Sequence, residues 1–450
     1  MMVYNNYIST PEAVWFSTLP YTWRATKMRE LFSERNTKVS DKEYPALSVG
    51  KMGVVPQLEG AVKTDNGDNR KLICKGDFAI NSRSDRKGSS GISEYDGSSS
   101  LIITVLKPHK ELNGRFYHYL LRSHYFVEEF YRNGHGLVSD LWTTKWDEMR
   151  NIYIPVPPRD EQDQIVRYLD WQTSRINKLI HGYQGQIKLL EEAKKNIITK
   201  AVLYGTHDDV QCKDSGSKWI GNVPAHWDCL RGKYLFHEID FRSESGNEEL
   251  LSVSHITGIT PRSQKNVTMF KSESLVGYKI CDIGDIAGNT MWMWAGAVGV
   301  SSFRGVVSPS YNLYRQNNGA YVPRYLDYLL RTPNLIDNYV VLSTGIRKSR
   351  LRLYPDKFLG MLYPVPPIEE QKEILDYIEK QTDKYNKNIS NIEKEIDLLR
   401  EYRTRLISDV VTGQLDVRGI EIPDYILEED TEEITDTEDQ TDEEVDTDAE

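Results

Sequence analysis

Apolar residues recur at alternating steps of three and four along two long segments of this 450-residue chain. The first segment follows Pro157-Pro158 and the second follows Pro366-Pro367. A two-per-heptad stripe sustained over five heptads is typical of helices that pack on each other. The alternative is that each helix packs only on its own domain, which also requires an apolar stripe. The pattern favours two long helices that form a coiled coil.

The two seams carry a threonine and a basic residue at the same positions, and acidic residues stand in the first turn, where the helix dipole favours them. At about 1.5 Å per residue, each seam is on the order of 54 Å long. The seam of the first helix is Val166, Leu169, Thr173, Ile176, Ile180, Tyr183, Ile187, Leu190, Lys194, Ile197 and Ala201. The seam of the second helix is Leu375, Ile378, Thr382, Tyr385, Ile389, Ile392, Ile396, Leu399, Arg403, Leu406 and Val410.

The remaining sequence consists of short apolar runs broken by Gly, Asn, Asp and Ser. Runs such as 101–106 and 298–301 predict short strands between turns. The Tyr- and Leu-rich blocks 115–131 and 324–341 predict helices. Each half of the chain therefore reads as an α+β domain followed by a long helix.

Five sequence blocks occur twice, in the same order and at a nearly constant offset, which indicates an internal duplication. The paired blocks are 19–23 with 223–227, 47–53 with 251–258, 75–79 with 283–287, 115–122 with 324–331, and 155–162 with 364–371.

The repeat predicts an α+β domain over residues 1–158, a long helix over 159–205, a second domain over 206–367, a second helix over 368–414, and a C-terminal segment over 415–450. We expect the two long helices to pack as an antiparallel coiled coil, so that a pseudo-twofold axis relates the two halves. Two similar domains held apart by a rigid spacer are suited to bind two separate sites on one linear molecule. DNA fits, because half-sites one helical turn apart are separated by about 34–36 Å.

Charge is distributed unevenly along the chain. The net charge is −11, but residues 421–450 hold 16 acidic and no basic residues, so residues 1–420 carry +5. A mildly basic body is compatible with nucleic acid. The acidic tail has too few apolar residues to form a core and is predicted to be disordered. It serves either solubility or electrostatic competition for the DNA surface of the body.

The four cysteines are widely spaced, no histidine pair has metal-ligand spacing, and no signal peptide or membrane span is evident. These features predict a cytoplasmic protein without a disulfide framework or metal site.

The repeated motifs resemble those of the specificity subunit of type I restriction-modification systems, over about residues 13–418. In the first half these are PVPPRDEQ and, in the helix that follows, the blocks 189–192 and 195–198. In the second half they are blocks 284–292 and 305–311, and the helix end from 398 through 418. The acidic tail after Arg418 departs from the family pattern.

The resemblance implies two target-recognition domains that each read one half of a bipartite double-stranded DNA sequence. It implies that the paired helices set the spacing and dock two methyltransferase (modification) subunits, which bind S-adenosylmethionine and methylate adenine. The resemblance also implies restriction subunits, where present, that use ATP with Mg. No cofactor is expected on this chain itself.

Sequence motifs of catalysis are absent from the chain. It has no GxxxxGK[ST] phosphate loop and no [DN]PP[FY] motif, because Val156 and Val365 precede its Pro-Pro pairs. We therefore expect a non-catalytic subunit. Two alternatives stay open: a standalone nuclease or methyltransferase with fused recognition domains, and a coiled-coil adaptor that binds only proteins.

Candidate DNA contacts lie in loops that differ between the two repeats. Loop 81–88 is basic, and its counterpart 289–296 is aromatic. Loop 345–352 is strongly basic, and its counterpart 136–143 is followed by a single lysine. The alternatives are a solvated charged turn in the first loop and core packing for at least one tryptophan. The candidate residues are Arg83, Arg86, Lys87, Lys145, Trp292, Trp294, Arg347, Lys348, Arg350 and Arg352.

For the basic loop we predict that Arg347→Ala or Arg350→Ala weakens DNA binding, and that the salt dependence falls if the substituted side chain binds a phosphate.

Overall fold

The computed structural model describes residues 3–57, 67–83, 87–109, 112–136, 142–207, 209–264, 274–345 and 351–427. The chain divides into two compact units. Unit 1 comprises residues 1–185 and 393–450, and unit 2 comprises residues 186–392. This division cuts through both long helices instead of following consecutive domains along the chain, so each unit contains a part of each helix.

In unit 1, short strands and helices precede the first long helix. They are β1 (Tyr7–Ser9), β2 (Thr18–Pro20), β3 (Arg24–Lys27), β4 (Phe32–Glu34), β5 (Lys38–Val39), β6 (Leu47–Gly50), β7 (Gly53–Pro56), β8 (Arg70–Ile73), β9 (Phe78–Asn81), β10 (Ser90–Ile92), β11 (Gly97–Ser99), β12 (Ile103–Pro108), α1 (Gly114–Arg122), α2 (His124–Arg132), α3 (Trp146–Met149), β13 (Tyr153–Val156) and the long helix α4 (Arg159–Tyr204), which continues into unit 2.

In unit 2, elements of the same kinds follow in nearly the same order. They are β14 (Cys212–Asp214), β15 (Asn222–Pro224), β16 (Asp228–Arg231), α5 (Gly232–Leu235), β17 (Phe236–Ile239), β18 (Leu251–Ser254), β19 (Gly258–Pro261), β20 (Lys279–Cys281), β21 (Ile286–Gly288), β22 (Val298–Val300), β23 (Gly305–Val307), β24 (Asn312–Gln316), α6 (Pro323–Leu330), α7 (Pro333–Leu342), α8 (Pro355–Gly360), β25 (Leu362–Val365) and the long helix α9 (Ile368–Val411), which ends in unit 1.

The four-stranded sheets of the two units have the same strand order. Unit 1 has β10-β9-β12-β4 and unit 2 has β22-β21-β24-β17. Their registers also agree, because Phe78 pairs with Leu106 and Ile286 pairs with Tyr314. The third strand pairs antiparallel with the second in both sheets, so equivalent residues can be assigned one by one.

Close backbone packing recurs at equivalent glycines. A Cβ atom at Gly97 would lie 2.6 Å from the carbonyl oxygen of Pro45, and one at Gly305 would lie 2.3 Å from that of Glu249. Neither position has room for a larger side chain. The same steric requirement therefore holds at the same place in each unit.

Two of the predicted helical blocks are each split into a pair of helices. Ser123 separates α1 from α2, and its hydroxyl accepts a hydrogen bond from the backbone N–H of Phe126. In unit 2, Pro333 starts α7 directly after Thr332. A side-chain cap and a proline at the first helical position are both typical helix starts.

Within each unit, the two long-helix segments run antiparallel. In unit 1, Arg403 donates to the side chain of Asn177 at 2.6 Å, and Gln164 donates to the carbonyl of Val417 at 3.0 Å. In unit 2, Lys194 donates to Asn386 at 3.0 Å, and the helix ends carrying Val202 and Ile374 share one apolar core. All residues of the two predicted seams are buried or half-buried.

The Pro-Pro-x-x-x-Gln motif has a structural role at the start of each long helix. The Gln162 side chain donates to the carbonyl of Pro157 at 2.9 Å, and the Gln371 side chain donates to that of Pro366 at 2.9 Å. Each glutamine folds back on the turn that precedes its own helix. The motif therefore fixes the angle at which the chain enters the helix.

The segment after α9 belongs to unit 1 and packs against the start of the first long helix and the N-terminal residues. Gln164 also donates to the carbonyl of Ile420 at 2.9 Å, and the Arg418 guanidinium lies 4.7 Å from the Tyr4 ring centroid. Residues 428–450 of the predicted acidic tail lie outside the described residues. None of the helices in the described part of the chain is long and apolar enough to span a membrane.

Candidate nucleic-acid interface

In unit 1, a corner forms where the end of β9, the end of α2 and the segment before α3 meet; we call it the first corner. The backbone N–H of Thr144 donates to the carbonyl of Ser82 at 3.0 Å, and its hydroxyl donates to the carbonyl of Phe130 at 2.9 Å. Thr143 and His135 exchange two backbone hydrogen bonds of 2.9 Å. Residues 81–83 and 142–145, distant in sequence, are therefore neighbours.

Arg83 is presented from a fixed backbone at this corner. Its N–H donates to the Asn81 side chain at 3.1 Å, and its carbonyl accepts from the Tyr131 hydroxyl at 2.9 Å. The side chain is exposed, and its guanidinium makes no hydrogen bond or ion pair with any described residue. A rigidly anchored arginine whose donors face solvent is suited to contact a base edge or a phosphate.

The two lysines of the first corner differ in their surroundings. Lys87 forms an ion pair with Glu128 and lies 5.5 Å from the ring centroid of Tyr131. Lys145 is exposed at the start of α3, and its ammonium group pairs with no carboxylate in the described part of the chain. Part of the charge of Lys87 is thus compensated within the protein, whereas that of Lys145 is directed to solvent.

Unit 2 builds a second corner at equivalent positions. The N–H of Leu353 donates to the carbonyl of Thr290 at 3.4 Å, as Thr144 does to Ser82. Thr344 and Arg352 exchange two backbone hydrogen bonds of 3.0 Å. By this correspondence Arg83 matches Met291, Thr143 matches Arg352, and Lys145 matches Tyr354.

The aromatic loop of the second corner contains a stacked tryptophan pair. The rings of Trp292 and Trp294 have centroids 5.6 Å apart and an angle of 24° between their planes. Both side chains are half-buried. The Trp294 indole N–H donates to the carbonyl of Met291 at 2.7 Å, which fixes the turn. The pair thus both packs on the protein and presents part of its surface to solvent.

A glycine with a left-handed backbone conformation stands at equivalent positions of the two corners. Gly88 has φ of +79° and Gly296 has φ of +94°. Both positions therefore have a conformation that favours glycine, which is a further equivalence between the two units.

The structure describes only some of the predicted candidates. Arg83, Lys87 and Lys145 come together in the first corner, and Trp292, Trp294 and Arg352 in the second. The remaining candidates, Arg86, Arg347, Lys348 and Arg350, lie outside the described residues.

Tyr354 is a surface residue of the second corner that the sequence reasoning missed. Its side chain is 48% exposed, and it stands where unit 1 has Lys145. The alignment that singled out Lys145 extended only to Arg352, two residues short. Extending it to the equivalent of Lys145 would have identified this tyrosine.

No family model matches the sequence. The specificity subunit assigned to the type I restriction enzyme MjaX of Methanocaldococcus jannaschii is 22% identical over 399 residues, covering 85% of this chain and 87% of the relative. The MjaVIII specificity subunit of the same organism is 24% identical over 293 residues, covering 60% of this chain and 64% of that relative.

Among solved structures, a chain from a study of complex assembly and conformational transition of the type I R-M system aligns with a TM-score of 0.51. It is 16% identical, and the alignment covers 88% of this chain and 99% of the other. The protein thus has the mixed helix-and-strand fold of that chain. Its curated relatives are specificity subunits of type I restriction enzymes, so the resemblance drawn from the motifs is confirmed.

Proposed function

We propose that this chain is the DNA sequence-specificity subunit of a type I restriction-modification complex, with each unit reading one half of a bipartite DNA target. The pair of corners carries this proposal. Their backbone frames are equivalent, but Arg83 is replaced by Met291 and Lys145 by Tyr354. Different side chains on a repeated frame give two readers of different specificity.

Internal duplication is the basis of the two readers. The equal strand orders, the equal registers and the equivalent close-packed glycines all support it. In this scheme, residues 1–158 and 206–367 are the target-recognition domains, and residues 159–205 and 368–414 are the spacer helices.

The two long helices are proposed to form an antiparallel coiled coil that spaces the domains and docks two modification subunits. Antiparallel packing within each unit and the burial of the seams support the coiled coil. Large apolar side chains remain on the outside of these helices: Leu179 is 53% exposed, Leu189 66% and Leu398 60%. Exposed leucines on packed helices are suited to contact with partner helices.

The chemistry is proposed to reside on partner subunits. The modification subunits bind S-adenosylmethionine and methylate adenine, and restriction subunits, where present, use ATP with Mg. This chain contributes target recognition and assembly, without a catalytic group or cofactor of its own.

Reconstitution tests this proposal. The chain, the methyltransferase subunit from the same source, and their mixture are each assayed for transfer of labelled methyl groups from S-adenosylmethionine to DNA. We expect transfer only from the mixture, at a subset of DNA sequences.

The alternative functions give different results. Methylation or cleavage of DNA by the chain alone would identify a standalone enzyme. A chain that binds partner proteins but never binds DNA sequence-specifically, alone or in complex, would identify a protein-only adaptor.

A further inference from the structure

Resting on the proposed function, we infer that the two half-sites differ in chemical kind. The first corner takes a half-site with a guanine that Arg83 contacts in the major groove. The second corner takes a half-site with a thymine whose methyl group packs against Trp292. The side chains at equivalent positions of the two corners carry this assignment.

The first corner offers a guanidinium to the solvent. Arg83 is exposed, its backbone is held on both sides by Asn81 and Tyr131, and its donors have no partner among the described residues. Because Lys87 already pairs with Glu128, Arg83 is the better placed of the two to contact a base. The major-groove edge of guanine presents two acceptors, O6 and N7, that match the two-pronged donor of arginine.

The second corner lacks this donor at the equivalent position, where Met291 stands. Two polar groups beside it are engaged within the protein: the Trp294 indole N–H donates to the carbonyl of Met291, and the Thr290 hydroxyl donates to the carbonyl of Ser310 at 2.6 Å. Among the described residues of this turn, part of the Trp292 side chain, which stacks on Trp294, remains at the surface. Among the four bases, thymine alone presents a methyl group in the major groove.

Aromatic character also extends to the flank of the second corner. Tyr354 replaces the Lys145 of unit 1, and Arg352 beside it has no ion-pair partner among the described residues. Arg352 is thus available for a phosphate, while the aromatic surface faces the base edges. A phosphate contact fixes position and an apolar contact distinguishes the base, so the two roles are separate.

The experiment uses the complex of this chain with its methyltransferase subunit and duplexes of the target determined for the wild-type complex. In one series each guanine in turn is replaced by 7-deazaguanine, which removes only N7. In the other series each thymine is replaced by deoxyuridine, which removes only the methyl group. Dissociation constants are measured for the wild type and for the variants Arg83→Ala and Trp292→Ala.

For the wild type we expect one 7-deazaguanine position in one half-site to weaken binding by roughly 5- to 150-fold. One deoxyuridine position in the other half-site should weaken it by about fourfold, the value of one buried methyl group. Arg83→Ala should bind normal DNA more weakly than the wild type does. Its binding should no longer respond to the guanine analogue but should still respond to the thymine analogue. The binding of Trp292→Ala should no longer respond to the thymine analogue but should still respond to the guanine analogue.

Each variant has its own controls. Its response to the analogue in the opposite half-site reports whether the complex is intact. Arg83→Lys keeps the charge but removes the two-pronged donor and should behave like Arg83→Ala at the guanine position. Trp292→Phe keeps an aromatic ring and should retain the response to the thymine analogue. It therefore separates the loss of the methyl contact from poorer packing in the alanine variant.

Failure of this inference is distinguishable from failure of the proposed function. If the wild-type complex methylates no split sequence, the proposed function itself is wrong. If a split target exists but Arg83→Ala keeps the full effect of the guanine analogue, the assignment of the first half-site is wrong. If both Trp292→Phe and Trp292→Ala respond to deoxyuridine as strongly as the wild type does, the assignment of the second half-site is wrong.

Discussion

His118 in unit 1 and Asp327 in unit 2 occupy equivalent positions on α1 and α6 and perform the same structural task. The backbone N–H of Ile92 donates to His118 Nδ1 at 3.3 Å, and that of Val300 donates to Asp327 Oδ1 at 2.9 Å. Each is followed four residues later by an arginine. A histidine in unit 1 and an aspartate in unit 2 thus join equivalent strands, β10 and β22, to equivalent helices, α1 and α6.

This equivalence predicts opposite pH dependence. Burial, together with the positive charges of Arg122 and Arg115, lowers the pKa of His118 to about 3. Its contribution to stability is present above the unfolded pKa of about 6.5 and is lost as the pH falls toward 3, at up to about 1.4 kcal/mol per pH unit. Hydrogen exchange of helix α1, corrected for intrinsic rates, should show weaker protection at pH 5 than at pH 7.

Asp327 should show the reverse trend. Burial raises its pKa above the usual 3.8, so its contribution is present below that value and lost as the pH rises through the raised pKa. Protection of α6 should therefore decrease from pH 4 upward. His118→Asn and Asp327→Asn should each flatten the trend in their own helix; a trend that survives both substitutions would assign the pH dependence to other groups.

The two motif glutamines should differ in their importance for stability. Gln371 is fully buried, donates to the carbonyls of Ala320 and Pro366, and accepts from the N–H of Val322 at 2.8 Å. Gln162 donates to one carbonyl, and its buried Oε1 has no partner among the described residues. Gln371→Ala should lower the free energy of unfolding by about 1–3 kcal/mol more than Gln162→Ala.

Denaturant titration of the two variants measures this difference. Gln371→Met, which preserves side-chain volume, should be as damaging as Gln371→Ala because neither side chain can form the hydrogen bonds. Equal destabilisation by Gln162→Ala and Gln371→Ala would show that the extra hydrogen bonds contribute little.

Phosphate contacts are predicted for Lys145 and Arg352. Replacing either with alanine should weaken the binding of all DNA sequences alike, because phosphates carry no sequence information. The slope of log K against log salt concentration should fall in magnitude by about 0.9 for each phosphate that the variant no longer neutralises. Lys372→Ala, which removes a partly exposed lysine near the start of α9, is the charge-matched control and should leave the slope unchanged. Slopes equal to the wild type in both test variants would exclude a phosphate-binding role for these residues.

The exposed leucines of the long helices are predicted to dock the modification subunits. Leu189 is 66% exposed beside a groove that Leu190 and Ile392 also line. Leu189→Asp should leave the fold intact and abolish co-purification with the methyltransferase subunit. Ile283→Asp changes an equally exposed side chain, at 70%, in the turn before β21 and should still co-purify. If Leu189→Asp binds the partner as the wild type does, docking occurs elsewhere.

The sequence was most informative where a pattern is local. The 3.5-residue period located both long helices, and their seams are buried or half-buried as periodicity requires. The mixed helix-and-strand content was also predicted correctly. The splits at Ser123 and Thr332 were missed, because a cap and a proline each fall inside an otherwise continuous apolar block.

Properties that depend on contacts between residues far apart in the sequence could not be predicted from local patterns. Arg83 and Lys145 were predicted separately, and contacts such as the pairing of Thr144 with Ser82 place their segments in one corner. The pairing of Lys87 with Glu128 likewise depends on how α2 meets the strand end. The sequence pattern did not reveal that His118 and Asp327 are equivalent. The two residue types differ, and only their hydrogen bonds to a backbone N–H show the shared role.

If each unit reads half of a split DNA target, modified bases in host DNA must fall within a two-part motif, which a methylation map detects. The chain is co-expressed with the methyltransferase subunit from its own source, and host DNA is sequenced by a method that detects N6-methyladenine. The methyltransferase expressed alone is the control. We expect a new two-part motif that appears only when this chain is present. A complex that co-purifies and methylates DNA at a continuous, unsplit motif, or without sequence preference, would contradict it.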